Sequence, residues 1–213
     1  MNLDFAQLLL GFAVLLVSLT VHEAAHAWSA DRLGDPTARA LGRLSLNPAV
    51  HVDPIGTILF PLIAMATNLP LIGWAKPVPV NPARLGGNWR QKFMVIAAAG
   101  PASNLVLAAC VAIILRVAPI GAVDVDATSI VWRLVQALAV AVQLNVFLAL
   151  FNMVPVPPLD GGNVLAGLLT GPMARAFDQL RPWGFLILYG LMLTGVLWTI
   201  IDPPASLLIS WLL

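Results

Sequence analysis

The sequence predicts an all-α polytopic membrane protein, a bundle of about four to six transmembrane helices. Three observations carry that expectation. Of the 213 residues, 60% are hydrophobic and only 10% charged, against about 25% charged in a soluble domain. Mean hydropathy is +0.91. The few charges divide the chain into long uncharged stretches at 5–21, 54–75, 93–115, 134–159 and 182–201, and a helix needs about 20 apolar residues to cross a bilayer. The net charge of +1 gives no case for a nucleic-acid partner.

The first stretch has no basic residues before it and leads into His22-Glu23 rather than a small-residue cleavage site. It therefore reads as a permanent span rather than a cleaved signal. It reaches spanning length only if its helix continues to about Ser29. The second stretch contains Pro61 and Pro70, and a re-entrant or broken segment is expected near 54–75. The next two read as plain spans. A C-terminal transmembrane helix is expected at about 182–203. Polar connections occupy 30–53, 73–92 and 155–181, with short extended or β segments expected near 41–47 and 76–82. None is long enough for a soluble domain, so 1–213 reads as one membrane-embedded unit with a core at about 8–170. The single cysteine, Cys110, lies in an apolar run and reads as a packing residue.

Charge separates two topologies. If all five stretches cross, basic residues divide almost evenly between the two sides. If 54–75 enters and returns, Arg32, Arg39, Arg43, Lys76, Arg84, Arg90, Lys92, Arg175 and Arg181 share one side. Only Arg116 and Arg133 then lie opposite. The positive-inside rule favours the second arrangement and makes the basic side cytoplasmic, in a cell (inner) membrane. Re-entrant backbone is tolerated at membrane depth where protein or water covers it.

His22 and His26 are four residues apart, which on a helix places both imidazoles on one face as a metal clamp. Glu23 projects beside them. In the pattern His-Glu-x-x-His, the histidines hold zinc and the glutamate is the general base for water. Ionisable residues inside an apolar span are costly and mark function. A catalytic zinc takes three protein ligands and keeps one open position. Asp160 is the best candidate for the third ligand, since it follows a 26-residue uncharged run and precedes Gly161-Gly162. It could instead cap a helix starting near Gly161. His51 is the rival ligand. Asp160 approaches the histidines from their own side only if 54–75 does not cross.

Three motifs, in order, resemble those of the site-2 proteases, intramembrane zinc metalloproteases of peptidase family M50. They are His22-Glu23-Ala24-Ala25-His26, Ala99-Gly100-Pro101-Ala102-Ser103-Asn104 and the run from Asn152 to Gly161. The likeness extends from about residue 8 to 170. Segments 42–48, 51–57 and 73–82 resemble the compact subgroup without PDZ or CBS domains. One departure is Pro157-Pro158-Leu159 before the Asp-Gly pair, where the family often has other residues. The resemblance implies one zinc ion per chain held by His22, His26 and Asp160, with Glu23 as catalytic base. It also implies that Asn152 lies near the site, to hold substrate backbone or the oxyanion; the other reading of Asn152 is an asparagine that caps a helix end. Asn104 either touches substrate or fixes helix packing. His51 either donates to the tetrahedral intermediate or fastens a loop through Asp53 or Asp35.

The expected function is intramembrane zinc-dependent hydrolysis of peptide bonds in or near transmembrane segments. The partners are a transmembrane-segment protein substrate and the lipid bilayer. A membrane zinc carrier and an inactive helix-binding homologue are the competing readings. An unwound substrate could pair with an edge at Leu41–Leu46 or Lys76–Asn81.

Overall fold

The computed structural model describes residues 5–61, 63, 73–118 and 130–213. Helix α1 (Phe5–Arg32) is continuous for 28 residues, so the metal-clamp pattern does lie on the first helix. Ser18 and Thr20 satisfy their hydroxyls on the carbonyls of Val14 (2.8 Å) and Leu16 (2.6 Å), as a membrane helix requires. The short α2 (Thr37–Ala40) follows. Then come a 3₁₀ turn at Pro48–Val50 and a π turn at Pro54–Leu59. Asp53 caps the π turn by accepting from the backbone N–H of Ile55 (3.0 Å) and Gly56 (2.8 Å).

The remaining helices are α3 (Trp89–Val117), α4 (Ile130–Asn152), α5 (Asp160–Leu168), α6 (Gly171–Leu180), α7 (Gly184–Leu193) and α8 (Val196–Leu212). Among the described residues, α1, α3 and α4 are each long and apolar enough to cross a membrane, and the bent C-terminal helices count as a fourth if taken as one span. The protein is thus a polytopic helical membrane protein. Buried side chains of α3 (Ala108, Ala112), α4 (Val142, Val146), α7 (Leu188) and α8 (Leu197, Ile201) form one core. Large apolar residues such as Val106, Ile113 and Val117 face outward, where lipid is their natural solvent. Cys110, expected to pack inside, is also exposed.

Contacts along the helices fix their directions. Lys92, near the start of α3, donates to the carbonyl of Leu33 just beyond α1 (3.1 Å), and Asn104 further along donates to the Ser18 carbonyl (3.3 Å). Helix α3 therefore runs antiparallel to α1. Asn145 of α4 donates to the Ser18 hydroxyl (2.9 Å), and the chain beyond α4 brings Asp160 to His22, so α4 runs parallel to α1.

This geometry separates the two topologies. The chain leaves α1 and enters α3 at the same end of the bundle. Locally, the Trp74 N–H donates to the Gly56 carbonyl (3.1 Å) and the Thr57 hydroxyl donates to the Trp74 carbonyl (2.8 Å). Residues 73–75 thus lie back against 56–57. Pro70 lies outside the described residues. The return depends on glycine: a Cβ on Gly56 would meet the Trp74 ring at 2.4 Å, and one on Gly73 the Gly56 carbonyl oxygen at 2.7 Å. The nine basic residues accordingly share the end of the bundle where α1 finishes, opposite Arg116 and Arg133.

Two expectations need correction. The helix expected at 182–203 is broken: α7 stops at Leu193, Gly195 takes φ +79°, and the chain bends by 73°. Left-handed backbone at a glycine ends a helix because the next turn cannot continue it. The β segments also do not form; there is no strand among the described residues. Residues 41–47 are turns and bends with Gly42 at φ +69°, and 73–81 is irregular chain.

Gly195 meets nothing within 4 Å of a built Cβ, so alanine there would act through backbone strain alone. Gly195→Ala is expected to lower stability by about 1 kcal/mol, read as a reduced thermal midpoint in detergent. An unchanged midpoint would exclude a left-handed residue at the break.

Candidate metal centre

His22 and His26 are buried on one face of α1, with ring centroids 4.7 Å apart and planes at 83°. Each ring is oriented by its outer nitrogen. His22 Nδ1 lies 2.6 Å from Asn104 Oδ1, and His26 Nδ1 lies 2.7 Å from the Ile96 carbonyl oxygen. Both neighbours are acceptors, so both Nδ1 atoms carry a hydrogen, and in the neutral rings both Nε2 atoms present lone pairs. Those two Nε2 atoms are 3.1 Å apart. Asp160 Oδ2 stands 3.1 Å from one and 3.3 Å from the other. With neutral histidines, none of these atoms can donate to another.

Three converging lone pairs repel unless a positive charge sits among them. Tetrahedral zinc, with bonds of about 2.0–2.1 Å, places its ligands roughly 3.3 Å apart. The observed edges match that spacing. Two imidazole nitrogens and one carboxylate oxygen suit zinc, and three ligands leave a position open. The same trio is a metal-competent cluster among the described residues.

Glycines make the convergence possible. A Cβ on Gly100 of α3 would lie 2.4 Å from His26 Nε2 and 2.6 Å from His22 Nε2. A Cβ on Gly161 would lie 2.2 Å from the Met153 carbonyl oxygen, and one on Gly162 2.8 Å from Pro157 N. The turn at 153–158 can therefore fold tightly onto the start of α5. Asp160 is the first residue of that helix, and its neighbour Leu159 caps it without a side-chain bond. The Asp160 carboxylate faces the histidines rather than capping, at a helix N-terminus that favours negative charge.

Glu23 is buried beside the trio, and its Oε2 accepts from the Val78 N–H (2.9 Å). Val78 belongs to a strap, residues 73–81, that is tied down along its length. Lys76 N–H donates to the His51 carbonyl (2.8 Å). The Arg43 guanidinium donates to the carbonyls of Lys76 and Pro77. Asn81 N–H donates to Asp35 Oδ2 (2.6 Å). Prolines 77, 79 and 82 have no N–H, and residues 76, 78 and 81 donate inward. The edge expected at Lys76–Asn81 thus spends these donors on its own protein. Asp35 is fully buried. Burial pushes its carboxyl up, but hydrogen bonds from Thr37 and Asn81 outweigh it and hold the group below the usual carboxylate range.

A cavity of about 450 Å³ opens against His22, Glu23, His26 and Asp160. Phe185, Leu188 and Tyr189 of α7 supply one wall, and Asn152 faces it with its amide nitrogen bonded to the Leu148 carbonyl (2.9 Å). His51 stands apart from the trio. Its Nε2 bonds the Ser45 carbonyl (2.8 Å), not Asp53 or Asp35, so it fastens a loop and is not the third ligand. Asn104 is fully buried and reaches His22, not the cavity, so it cannot touch substrate. Two residues escape the sequence reading. The Val78 N–H leaves no side-chain trace, whereas Asn145, fully buried in mid-helix, is an amide within the uncharged run 134–159 and carries the signal of a costly polar group in a span.

Relatives share this sequence. Residues 117–193 match Peptidase family M50. The chain is 38% identical over 192 residues to "Putative zinc metalloprotease YwhC" of Bacillus subtilis (strain 168), covering 88% of this chain and 84% of that protein. It is 34% identical over 185 residues to "Putative zinc metalloprotease Rip2" of Mycolicibacterium smegmatis, covering 85% of this chain and 66% of that one. The Mycobacterium tuberculosis (strain H37Rv) protein of the same name is 28% identical, with the same coverage. No solved structure matches.

Gly100→Ala is expected to weaken zinc binding at least tenfold, because the methyl group occupies the space of the imidazole edges; chelator competition on purified protein would show it. Asp35 also sets a pH dependence. Because folding lowers its pKa, its contribution is complete above about pH 4 and is lost as pH falls through the folded value. The thermal-midpoint gap between wild type and Asp35→Asn should be widest near neutrality and close in acid.

Proposed function

This chain belongs to peptidase family M50, and from that premise we propose an intramembrane zinc metalloendopeptidase that hydrolyses peptide bonds in or near transmembrane segments of membrane proteins. The supporting observation is the convergence of three lone pairs from His22, His26 and Asp160, spaced as zinc ligands, with the Glu23 carboxylate on the same cavity. In this reading these three residues hold one zinc ion per chain. Zinc, when bound, lowers the pKa of a coordinated water towards neutrality and polarises the scissile carbonyl.

Glu23 takes the proton from the attacking water and passes it to the leaving amine nitrogen. The water oxygen forms the new bond to the carbonyl carbon, and the C–N bond breaks. The Val78 N–H, bonded to one carboxylate oxygen, keeps Glu23 aimed into the cavity and leaves its other oxygen for the proton. In this reading Asn152, on the cavity wall, holds the substrate backbone. The apolar walls exclude bulk water, which strengthens each electrostatic contact inside.

The basic end of the bundle, with Arg32 over the Trp28 ring (5.0 Å) and Arg90 over Trp89 (5.2 Å), supports a cytoplasmic orientation of the site in the inner membrane. Water and the released fragment then exchange with the cytoplasm. Glu23 also favours a protease over a zinc carrier or a non-cutting homologue, neither of which needs a base on the cavity.

The test compares wild type with Glu23→Gln. Zinc content should be equal, and cleavage of transmembrane peptides should fall by about 10²–10⁴-fold in the variant. Cleavage that survives the change would sink the assignment of the base. Zinc in both proteins with cleavage by neither would favour the carrier or the non-cutting homologue.

A further inference from the structure

Behind His22, three buried polar side chains from three helices form one chain of hydrogen bonds. Its far end is anchored on groups that can only accept. Asn145 Nδ2 donates to the Ala141 carbonyl (2.8 Å) and to the Ser18 hydroxyl (2.9 Å). That hydroxyl spends its own hydrogen on the Val14 carbonyl (2.8 Å), so it too is an acceptor towards Asn145. The amide of Asn145 is therefore held one way round, with Oδ1 towards Asn104. Asn104 must answer with Nδ2, at 2.7 Å, and the Ser18 carbonyl takes its other hydrogen at 3.3 Å. Asn104 Oδ1 is then left facing His22 Nδ1 at 2.6 Å.

Each amide in this chain has its orientation dictated by the one before it. The last link dictates that a hydrogen sits on His22 Nδ1, so that the neutral ring keeps its lone pair on Nε2. Ser18, Asn104 and Asn145 are each no more than 1% exposed, so no solvent competes, and every polar hydrogen among them has an acceptor. A half-satisfied network at this depth would be worse than an apolar one.

We propose that Asn145 is a positioning residue: acting through Asn104, it fixes His22 in the tautomer that presents Nε2 to the metal, with Ser18 as its anchor. The proposal rests on the metal-site reading above. It differs from a packing role, which would hold the helices together but leave the histidine free to choose either tautomer.

The test uses full-length protein carrying ¹⁵N-labelled histidine. The chain has three histidines, and ring ¹⁵N shifts of the metal-free protein report which nitrogen of each is protonated. Wild type should show a hydrogen on His22 Nδ1 throughout. Asn145→Leu should show a mixture of the two His22 tautomers, with zinc affinity by chelator competition down about tenfold. Asn104→Ala should lose as much or more, and the double variant should bind zinc no more weakly than Asn104→Ala alone.

A single unchanged tautomer and unchanged affinity in Asn145→Leu overturns the proposal. So does a further loss when Asn145→Leu is added to Asn104→Ala, because Asn145 would then act on the fold and not through Asn104. Where Asn145→Leu does not fold, Ser18→Ala decides. It should shift the tautomer in the same direction by a smaller amount, and no shift overturns the proposal. If wild type binds no zinc yet the tautomer still responds to Asn145, the relay stands and the metal reading fails.

Discussion

Three lone pairs brought within about 3 Å of one another cannot rest together without a positive charge between them. That constraint organises the rest of the molecule. It requires that His22 and His26 carry their hydrogens on the far nitrogens, hence the acceptors at Asn104 and Ile96. It requires that nothing larger than a hydrogen stand on α3 opposite the rings, hence Gly100. It requires that a carboxylate arrive from a distant part of the chain at the same depth, hence the tight turn over Gly161 and Gly162. Small residues and buried amides that contribute little as packing become necessary once the cluster is granted.

Membrane burial sharpens each of these demands. In hydrocarbon an unpaired polar group costs several kcal/mol, so polar residues inside the bundle answer one another or face the cavity. The strap at 73–81 meets the same problem without forming a strand. Prolines 77, 79 and 82 carry no N–H, and three N–H groups between and before them reach the protein: Lys76 to a backbone carbonyl, Val78 and Asn81 to carboxylates. Irregular backbone is tolerated at membrane depth where it lines a cavity, and Trp74, Pro77, Val78 and Val80 line this one.

Much of this was legible in the residues. The spacing of His22 and His26 fixes a shared helix face, and the uneven distribution of arginine and lysine foretells that 54–75 turns back. Asp160 announces itself as an isolated carboxylate beside two glycines. Other features leave weaker marks. The break at Gly195 looks, in composition, like the interior of an ordinary apolar span, and only the backbone reveals its left-handed turn. His51 carries the same imidazole as a ligand would, and its exclusion depends on where the turn at 45–51 points. The contact between Glu23 and Val78 involves a main-chain group that every non-proline residue possesses, so no residue type betrays it. Asn145 was visible as an amide in an apolar helix, alongside Gln136, Gln143 and Asn152, but its partner on another helix was not.

The cluster joins His22 to a carboxylate 138 positions later. A cation held there is a cross-link between α1 and the start of α5, and anything that binds only the folded state stabilises it by mass action. Loss of the ion would therefore loosen α1 from α5 as well as silence the chemistry. There is also a temporal side. The membrane receives the chain from its N-terminus, so the two histidines are in place long before their third partner is made. Until Asp160 leaves the ribosome and the turn at 153–158 closes, the His22–His26–Asp160 cluster is incomplete, and under the proposed function a partly synthesised chain would lack the means of cutting its neighbours.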